Sequence, residues 1–312
     1  MEAKKFIDFI ITQKCTYRCV YCSQSKPEQQ EYKEADSKTI DNFLKFLDSI
    51  EKDFEITISG GEAILHQAFF GLAEKIKNKG FKINLITNFS FDIETYKKIF
   101  NLLDVNLNQF DISFHLDEIS NFDLALDKLH KLIKFKSNET KFVFNVPIFN
   151  LDNEKEEKIK QIVKIAKEND ITVNFQHIRI LNKYIKYSDK EQKYFKNEKF
   201  TKSFAKNCWA GCCSVVIFED GSVYRCYSSK FNKSNYLGNL NDSGFELNKS
   251  LNPCTNQYCT CPKPVAYNQI TDDKNYLSAV ITSLYNFSYL PILIFKNRKR
   301  VLEKIRQKIS YF

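Results

Sequence analysis

From Phe6 to His177 the chain alternates short runs rich in Ile, Val and Phe with longer segments of helical period. The runs Phe6–Ile11, Phe54–Ser59, Phe81–Thr87, Phe110–His115, Lys141–Pro147 and Ile171–His177 have the length and residue types of strands. Between them, Thr39–Ile50 places Ile40, Phe43, Leu44, Phe46, Leu47 and Ile50 on one stripe, and Glu154–Glu168 does the same with Ile159, Ile162, Val163 and Ile165. This alternation predicts an α/β fold: a parallel sheet with helices outside it, either flat and doubly wound or curved into an incomplete barrel. In both, ligands gather at the carboxyl ends of the strands. The unusual polar sequences all follow strands: Cys15 to Cys22 after the first, Ser59-Gly60-Gly61-Glu62 after the second, Thr87-Asn88 after the third. Three segments are therefore expected to converge on one mouth.

Beyond His177 the texture changes. Residues 179–207 are charged and rich in Tyr, as in a connector. From Cys208 to Pro262 the pieces are short and hairpin-like: Val215–Phe218, the turn Glu219-Asp220-Gly221-Ser222, then Val223–Tyr227. The expected organisation is a core over 1–178, a connector over 179–207, a small cysteine-rich module over 208–262 and a helical tail over 263–312.

With 312 residues, 43% hydrophobic and 27% charged, the chain can bury a full core. The formal charge of +9 comes mostly from Lys scattered among Asp and Glu, which reads as a solvated surface and not as a nucleic-acid interface. The short apolar run after Lys5 ends without a small-residue cleavage site, so a cytoplasmic protein is expected. In a reducing compartment structural disulfides are rare, and ten cysteines then point to metal binding or redox chemistry. They fall in two groups. Cys15, Cys19 and Cys22 come early; Cys208, Cys212, Cys213, Cys226, Cys254, Cys259 and Cys261 come late, with none between.

Cys15-Thr16-Tyr17-Arg18-Cys19-Val20-Tyr21-Cys22 spells C-x3-C-x2-C on a loop directly after a strand. Three thiolates this close can hold three irons of a cubane cluster and leave the fourth iron open, as a catalytic metal requires. A structural zinc site is the alternative. It would need a fourth Cys or His nearby, and the nearest His in sequence is His66.

This motif, with an aromatic before its last Cys and followed by Ser59-Gly60-Gly61-Glu62, resembles the radical S-adenosylmethionine (SAM) superfamily over residues 6–178. The resemblance implies a partial (β/α)6 barrel and a 4Fe–4S cluster on Cys15, Cys19 and Cys22 whose open iron chelates SAM. It also implies an enzyme that forms a 5′-deoxyadenosyl radical, draws electrons from a reductant such as flavodoxin or ferredoxin, and takes hydrogen from a peptide or small molecule. Gly60 and Gly61 would let backbone approach the ligand. Glu62 would accept a hydrogen bond from the SAM ammonium. Tyr21 would lie near the adenine, and Asn88 and Ser113 would meet the methionyl carboxylate or the ribose. The family often has Gly where Phe89 follows Asn88 here. His115 and Asp117 are further candidates at the end of the fourth strand.

The spacing Cys208-x12-Gly221-x4-Cys226 matches the opening of the auxiliary-cluster modules called SPASM and twitch. Cys254-x4-Cys259-x-Cys261 departs from the full SPASM spacing. Two fully ligated clusters need eight ligands and seven cysteines are present, so one auxiliary 4Fe–4S cluster is expected, from Cys208, Cys212 or Cys213, Cys226 and one or more of Cys254, Cys259 and Cys261. Two clusters, one with an open iron, and a zinc-stabilised module are the alternatives. Residues 275–295 carry no charged side chain and are followed by Lys296-Asn297-Arg298-Lys299-Arg300. A packed helix pair is expected there, with membrane-surface contact through residues 275–309 or a span as the other readings. An electron-transfer protein remains the rival to an enzyme.

Overall fold

The computed structural model describes residues 4–22, 32–135, 139–180, 183–195, 206–227, 235–242, 245–254 and 270–274. Two compact units emerge, one of Asp8–Glu198 with Phe218–Asp220, the other of Met1–Ile7, Lys199–Ile217 and Gly221–Phe312.

The first unit alternates strands and helices as the hydrophobic pattern predicts: β1 (Phe6–Thr12), α1 (Ser37–Asp48), β2 (Glu55–Gly60), α2 (Phe69–Asn78), β3 (Lys82–Thr87), α3 (Ile93–Leu103), β4 (Leu107–Ser113), α4 (Phe122–Phe135), β5 (Lys141–Pro147), α5 (Asn153–Glu168) and β6 (Thr172–Gln176). The strands run in sequence order across the sheet, and each pair from β2 to β6 is parallel. The result is an α/β fold around a central parallel sheet, consistent with a partial barrel.

Three helix starts have the same local cause. Asp36, Asp92 and Asp152 each accept a hydrogen bond from the backbone N–H three residues on, at 2.7, 2.7 and 2.8 Å. The Asp36 cap begins α1 at Ser37, two residues before the sequence pattern suggests. β4 also starts early, because buried Leu107 pairs with Ile83 although Asn108 and Gln109 interrupt the apolar run.

The two faces of the sheet differ in chemistry. On one, Phe9 stacks on Phe43 of α1 at 4.3 Å, and Phe110 packs against Tyr96 and Phe100 of α3 at 5.8 and 5.1 Å. This is the helix-covered core. The opposite side of the pleat carries Asp8, Thr57, Ser59, Asn84, Asp111 and Asn145, all buried. Asp111 accepts from Gln109 at 2.8 Å and from Asn145 at 3.3 Å. After β6 come a short ladder of β7 (Arg179–Ile180) with β8 (Lys183–Tyr184) and the one-turn helix α6 (Asp189–Gln192), which opens with a capping box of Ser188 and Glu191.

The second unit is built of short strands: β9 (Lys206–Cys208), β10 (Ser214–Ile217), β11 (Ser222–Tyr224), β12 (Tyr236–Asn239), β13 (Asn252–Pro253) and β14 (Ile270–Lys274). β10 and β11 form the expected antiparallel pair, and Gly221 takes φ +77° at its turn. Among the described residues no helix is long and apolar enough to cross a membrane. The expected tail contacts at 275–309 lie outside the described residues.

Candidate active site

The cysteine loop leaves β1 at Thr12 and is tied at once to the loop that leaves β2. Gly61 N donates to Thr12 O and Glu62 N to Lys14 O, both at 2.7 Å. A Cβ on Gly60 would stand 2.4 Å from Thr12 O, and one on Gly61 2.2 Å from Lys14 O. Gly60 also has φ +153°, which L side chains rarely adopt. The close approach that these glycines allow within the chain is to its own cysteine loop.

Within that loop Cys22 N donates to Cys19 O at 2.9 Å, which folds the segment back on itself. Cys19 is buried, while Cys15 and Cys22 are partly exposed. The Arg18 guanidinium braces the turn by donating to Cys15 O at 2.7 Å and Tyr17 O at 3.0 Å. Arg18 N donates to the Glu118 carboxylate at 3.1 Å. Cys15 Sγ accepts from Tyr17 N and from Asn88 Nδ2, both at 3.4 Å.

Glu62 lies beneath this loop and is only 1% exposed. Its Oε2 accepts from Thr87 Oγ1 at 3.0 Å and from Asn88 N at 2.7 Å, while Oε1 is buried with no hydrogen-bond partner. Burial pushes its carboxyl up to about 7. Glu62 therefore does two things: it holds the start of the β3 loop, and it keeps one acceptor oxygen unspent.

Phe89 takes φ +61°, a conformation glycine adopts without penalty and a bulky residue does not. Its ring is buried, stacked on Tyr96 at 5.0 Å. Lys128 of α4 stands 4.2 Å from that ring, donates to Phe89 O, and donates to Phe91 O at 2.7 Å. Burial pulls the Lys128 ammonium down to about 8, with Asp92 and Glu62 opposing the shift. Nothing in the sequence marks Lys128, which looks like any lysine of an amphipathic helix. Thr16 and Glu118 were equally silent.

Of the other sequence candidates, Tyr21 is buried and its hydroxyl meets His115 Nδ1 at 3.1 Å. The two rings stack at 5.9 Å, Phe149 covers Tyr21 at 5.0 Å, and burial pulls His115 down to about 4. His115 therefore joins the cysteine loop to the end of β4. Ser113 ends β4 beside Asn145. Asp117 is ion-paired with Lys155 of α5.

Among the described residues no three His, Cys, Asp or Glu side chains are grouped around a single metal ion. A cubane makes a different demand, with each thiolate on its own iron. Residues 9–182 match the family described as the Radical SAM superfamily. The chain belongs to the radical SAM superfamily.

Membership implies a 4Fe–4S cluster and SAM as cofactors, and supports an enzyme. An S-adenosylmethionine-dependent nucleotide dehydratase of Selenomonas ruminantium is 32% identical over 82 residues, 26% of this chain and 29% of that protein. A tungsten-containing aldehyde ferredoxin oxidoreductase cofactor-modifying protein of Pyrococcus furiosus is 26% identical over 144 residues, 42% and 39% of the two chains. The matches thus span less than half of either curated relative. In fold, the chain is similar to Streptococcus suis SuiB bound to precursor peptide SuiA, with a TM-score of 0.54 at 14% identity over 77% of this chain and 63% of that one.

The late cysteines belong to the second unit. Cys208 pairs with Asn252 of β13 and with Ile270 of β14, one on each side of β9, and Cys254 N donates to Lys206 O at 2.8 Å. The buried Arg225 guanidinium donates to Ala210 O at 2.8 Å, Asn252 O at 2.7 Å and Pro253 O at 3.1 Å. It knits together the segments that carry Cys208, Cys226 and Cys254. Burial, with Cys254 and Cys226 near it, pushes the Cys208 thiol up to about 12. Cys212 Sγ instead faces its own turn, 3.1 Å from Trp209 O and 3.9 Å from Cys213 Sγ. Cys259 and Cys261 lie outside the described residues.

Proposed function

We propose that this protein is an enzyme that cleaves SAM reductively and takes hydrogen from a peptide or small-molecule substrate, with Cys15, Cys19 and Cys22 holding the radical-generating cluster. Held by Cys15, Cys19 and Cys22, a reduced 4Fe–4S cluster would supply the electron for S–C5′ cleavage of SAM, which would yield methionine and the hydrogen-abstracting 5′-deoxyadenosyl radical. In this reading the chain's own residues hold and orient SAM. Glu62 turns its unspent oxygen to the ammonium, Gly60 and Gly61 shape the cradle floor, and Tyr21 and Ser113 flank the adenosine. Asn88 sits beside Cys15.

One observation carries the reading: a carboxylate buried beside the cysteine loop with Oε1 unpartnered. Burial disfavours the charged form of this carboxylate, and a ligand cation at the unpartnered oxygen offsets that cost. An electron carrier has no use for it. The late cysteines support the second part of the proposal, a SPASM- or twitch-like module over 208–262 holding one auxiliary 4Fe–4S cluster, with ligands drawn from Cys208, Cys212, Cys226, Cys254, Cys259 and Cys261. A reductant of the flavodoxin or ferredoxin type and a cytoplasmic location complete it.

Anaerobic reconstitution with iron and sulfide, then addition of dithionite and SAM, tests the proposal. The enzyme forms 5′-deoxyadenosine; an electron carrier binds the same iron and forms none.

A further inference from the structure

Asn88 is oriented by its surroundings toward the cysteine loop. Its Oδ1 accepts from Ser90 N at 3.1 Å, which fixes the amide so that Nδ2 faces the cysteine loop. There Nδ2 stands 2.9 Å from Thr16 Oγ1 and 3.4 Å from Cys15 Sγ. Thr16 Oγ1 also donates to Ser90 Oγ at 2.8 Å, so the two loops are joined on both sides of the amide. Both N–H groups of Asn88 are thereby committed, leaving no donor for a carboxylate of SAM. What they reach is a sulfur proposed above as a cluster ligand.

The loop that aims Asn88 combines an unfavourable backbone angle with a brace from another element. Phe89 is at φ +61°, where a bulky side chain is strained. Lys128 reaches across from α4 and binds the carbonyls of Phe89 and Phe91, one on each side of Ser90, with its ammonium over the Phe89 ring. The staple therefore closes around the very residues that orient the Asn88 amide.

We propose that Asn88 tunes the reduction potential of the radical SAM cluster through its hydrogen bond to Cys15 Sγ, and that Lys128 is the positioning residue that keeps Asn88 aimed there. The inference rests on Cys15 as a cluster ligand. A donor on a ligand sulfur stabilises the more negative, reduced cluster and so raises its potential. Asn88 thus makes the cluster easier to reduce.

An EPR-monitored redox titration of the reconstituted full chain at pH 7 without SAM reads this directly, on the signal that disappears in Cys15→Ala. Asn88→Ala lowers the midpoint potential. Asn88→Asp, which fills the same space, donates nothing and adds negative charge, lowers it further. Thr16→Ala removes the neighbouring bond but leaves Cys15 its donor, so the potential stays. Lys128→Met lowers it in the same direction, and adding Phe89→Gly recovers part of the shift, because glycine holds the positive φ without the staple. Unchanged potentials in both Asn88 variants, with iron at the wild-type level, overturn the proposal. A Lys128→Met shift that Phe89→Gly does not recover overturns the role of Lys128. If Cys15→Ala keeps every cluster signal, it is the ligand assignment that fails instead.

Discussion

Glu62 shows how one side chain can serve the fold and the ligand together. Its Oε2 is spent on Thr87 and Asn88 and its Oε1 is not. Removing the whole side chain would loosen the β3 loop as well as the proposed SAM contact, so Glu62→Gln is the cleaner variant: it can still accept from Thr87 and Asn88 but carries no charge. We expect it to hold iron as the wild type does and to lose about 1.5–3 kcal/mol of SAM affinity, roughly 10- to 150-fold, measured by equilibrium binding. The pH dependence has a definite sign. The Glu62 carboxyl is raised to about 7 in the folded chain, so its neutral form is favoured there and stability without SAM falls as pH rises through that value. An ammonium ligand reverses the preference. SAM binding should therefore strengthen from pH 6 to pH 8 and release a proton in calorimetry, and the Glu62→Gln variant should show neither. Gly60-Gly61-Glu62 behind a strand marked Glu62 as a candidate; that it holds the β3 loop was not legible, because Thr87 and Asn88 are distant in sequence.

At the scale of elements, β1 and β2 are locked through glycine. Gly61→Ala would drive a Cβ into Lys14 O at 2.2 Å and Gln13 O at 2.6 Å, both backbone atoms that cannot step aside. We expect a loss at or above the upper end of the usual overpacking cost of about 1–3 kcal/mol, seen as a lower denaturation midpoint, together with reduced iron retention. Gly71→Ala is the contrast. It lies in α2 with nothing within 4 Å of the added Cβ, and should gain about 0.5–1 kcal/mol. The capping pattern gives a smaller test, since Asp92→Ala should cost about 1 kcal/mol by freeing the Thr95 N–H at the start of α3. Elements with a clean period, such as α5, were readable from sequence to within a residue. β4 was not, because Asn108 and Gln109 hide the strand that Leu107 begins. Lys128 shows why positioning residues escape: its partners are backbone carbonyls on another element, and a carbonyl has no sequence signature.

Over the whole chain, the division of the cysteines into two groups was legible because none lies between Cys22 and Cys208. The knitting of Cys208, Cys226 and Cys254 by Arg225 was not, since it depends on strand pairings between short segments with little pattern of their own. If these cysteines carry an auxiliary cluster, replacing Cys208 and Cys226 together should lower iron by about four atoms per chain while dithionite-dependent SAM cleavage persists. Full iron content in that variant would assign the late cysteines to structure alone.

If the cysteine loop after β1 makes the chain a SAM-cleaving enzyme, the decisive comparison is 5′-deoxyadenosine formed with dithionite and SAM by the reconstituted protein and by the variant that replaces Cys15, Cys19 and Cys22 by Ala. Product is expected from the wild type and none from the variant, which keeps only the iron of its second site. Product at the wild-type level from the variant, or none from a wild type that holds its iron, would contradict it.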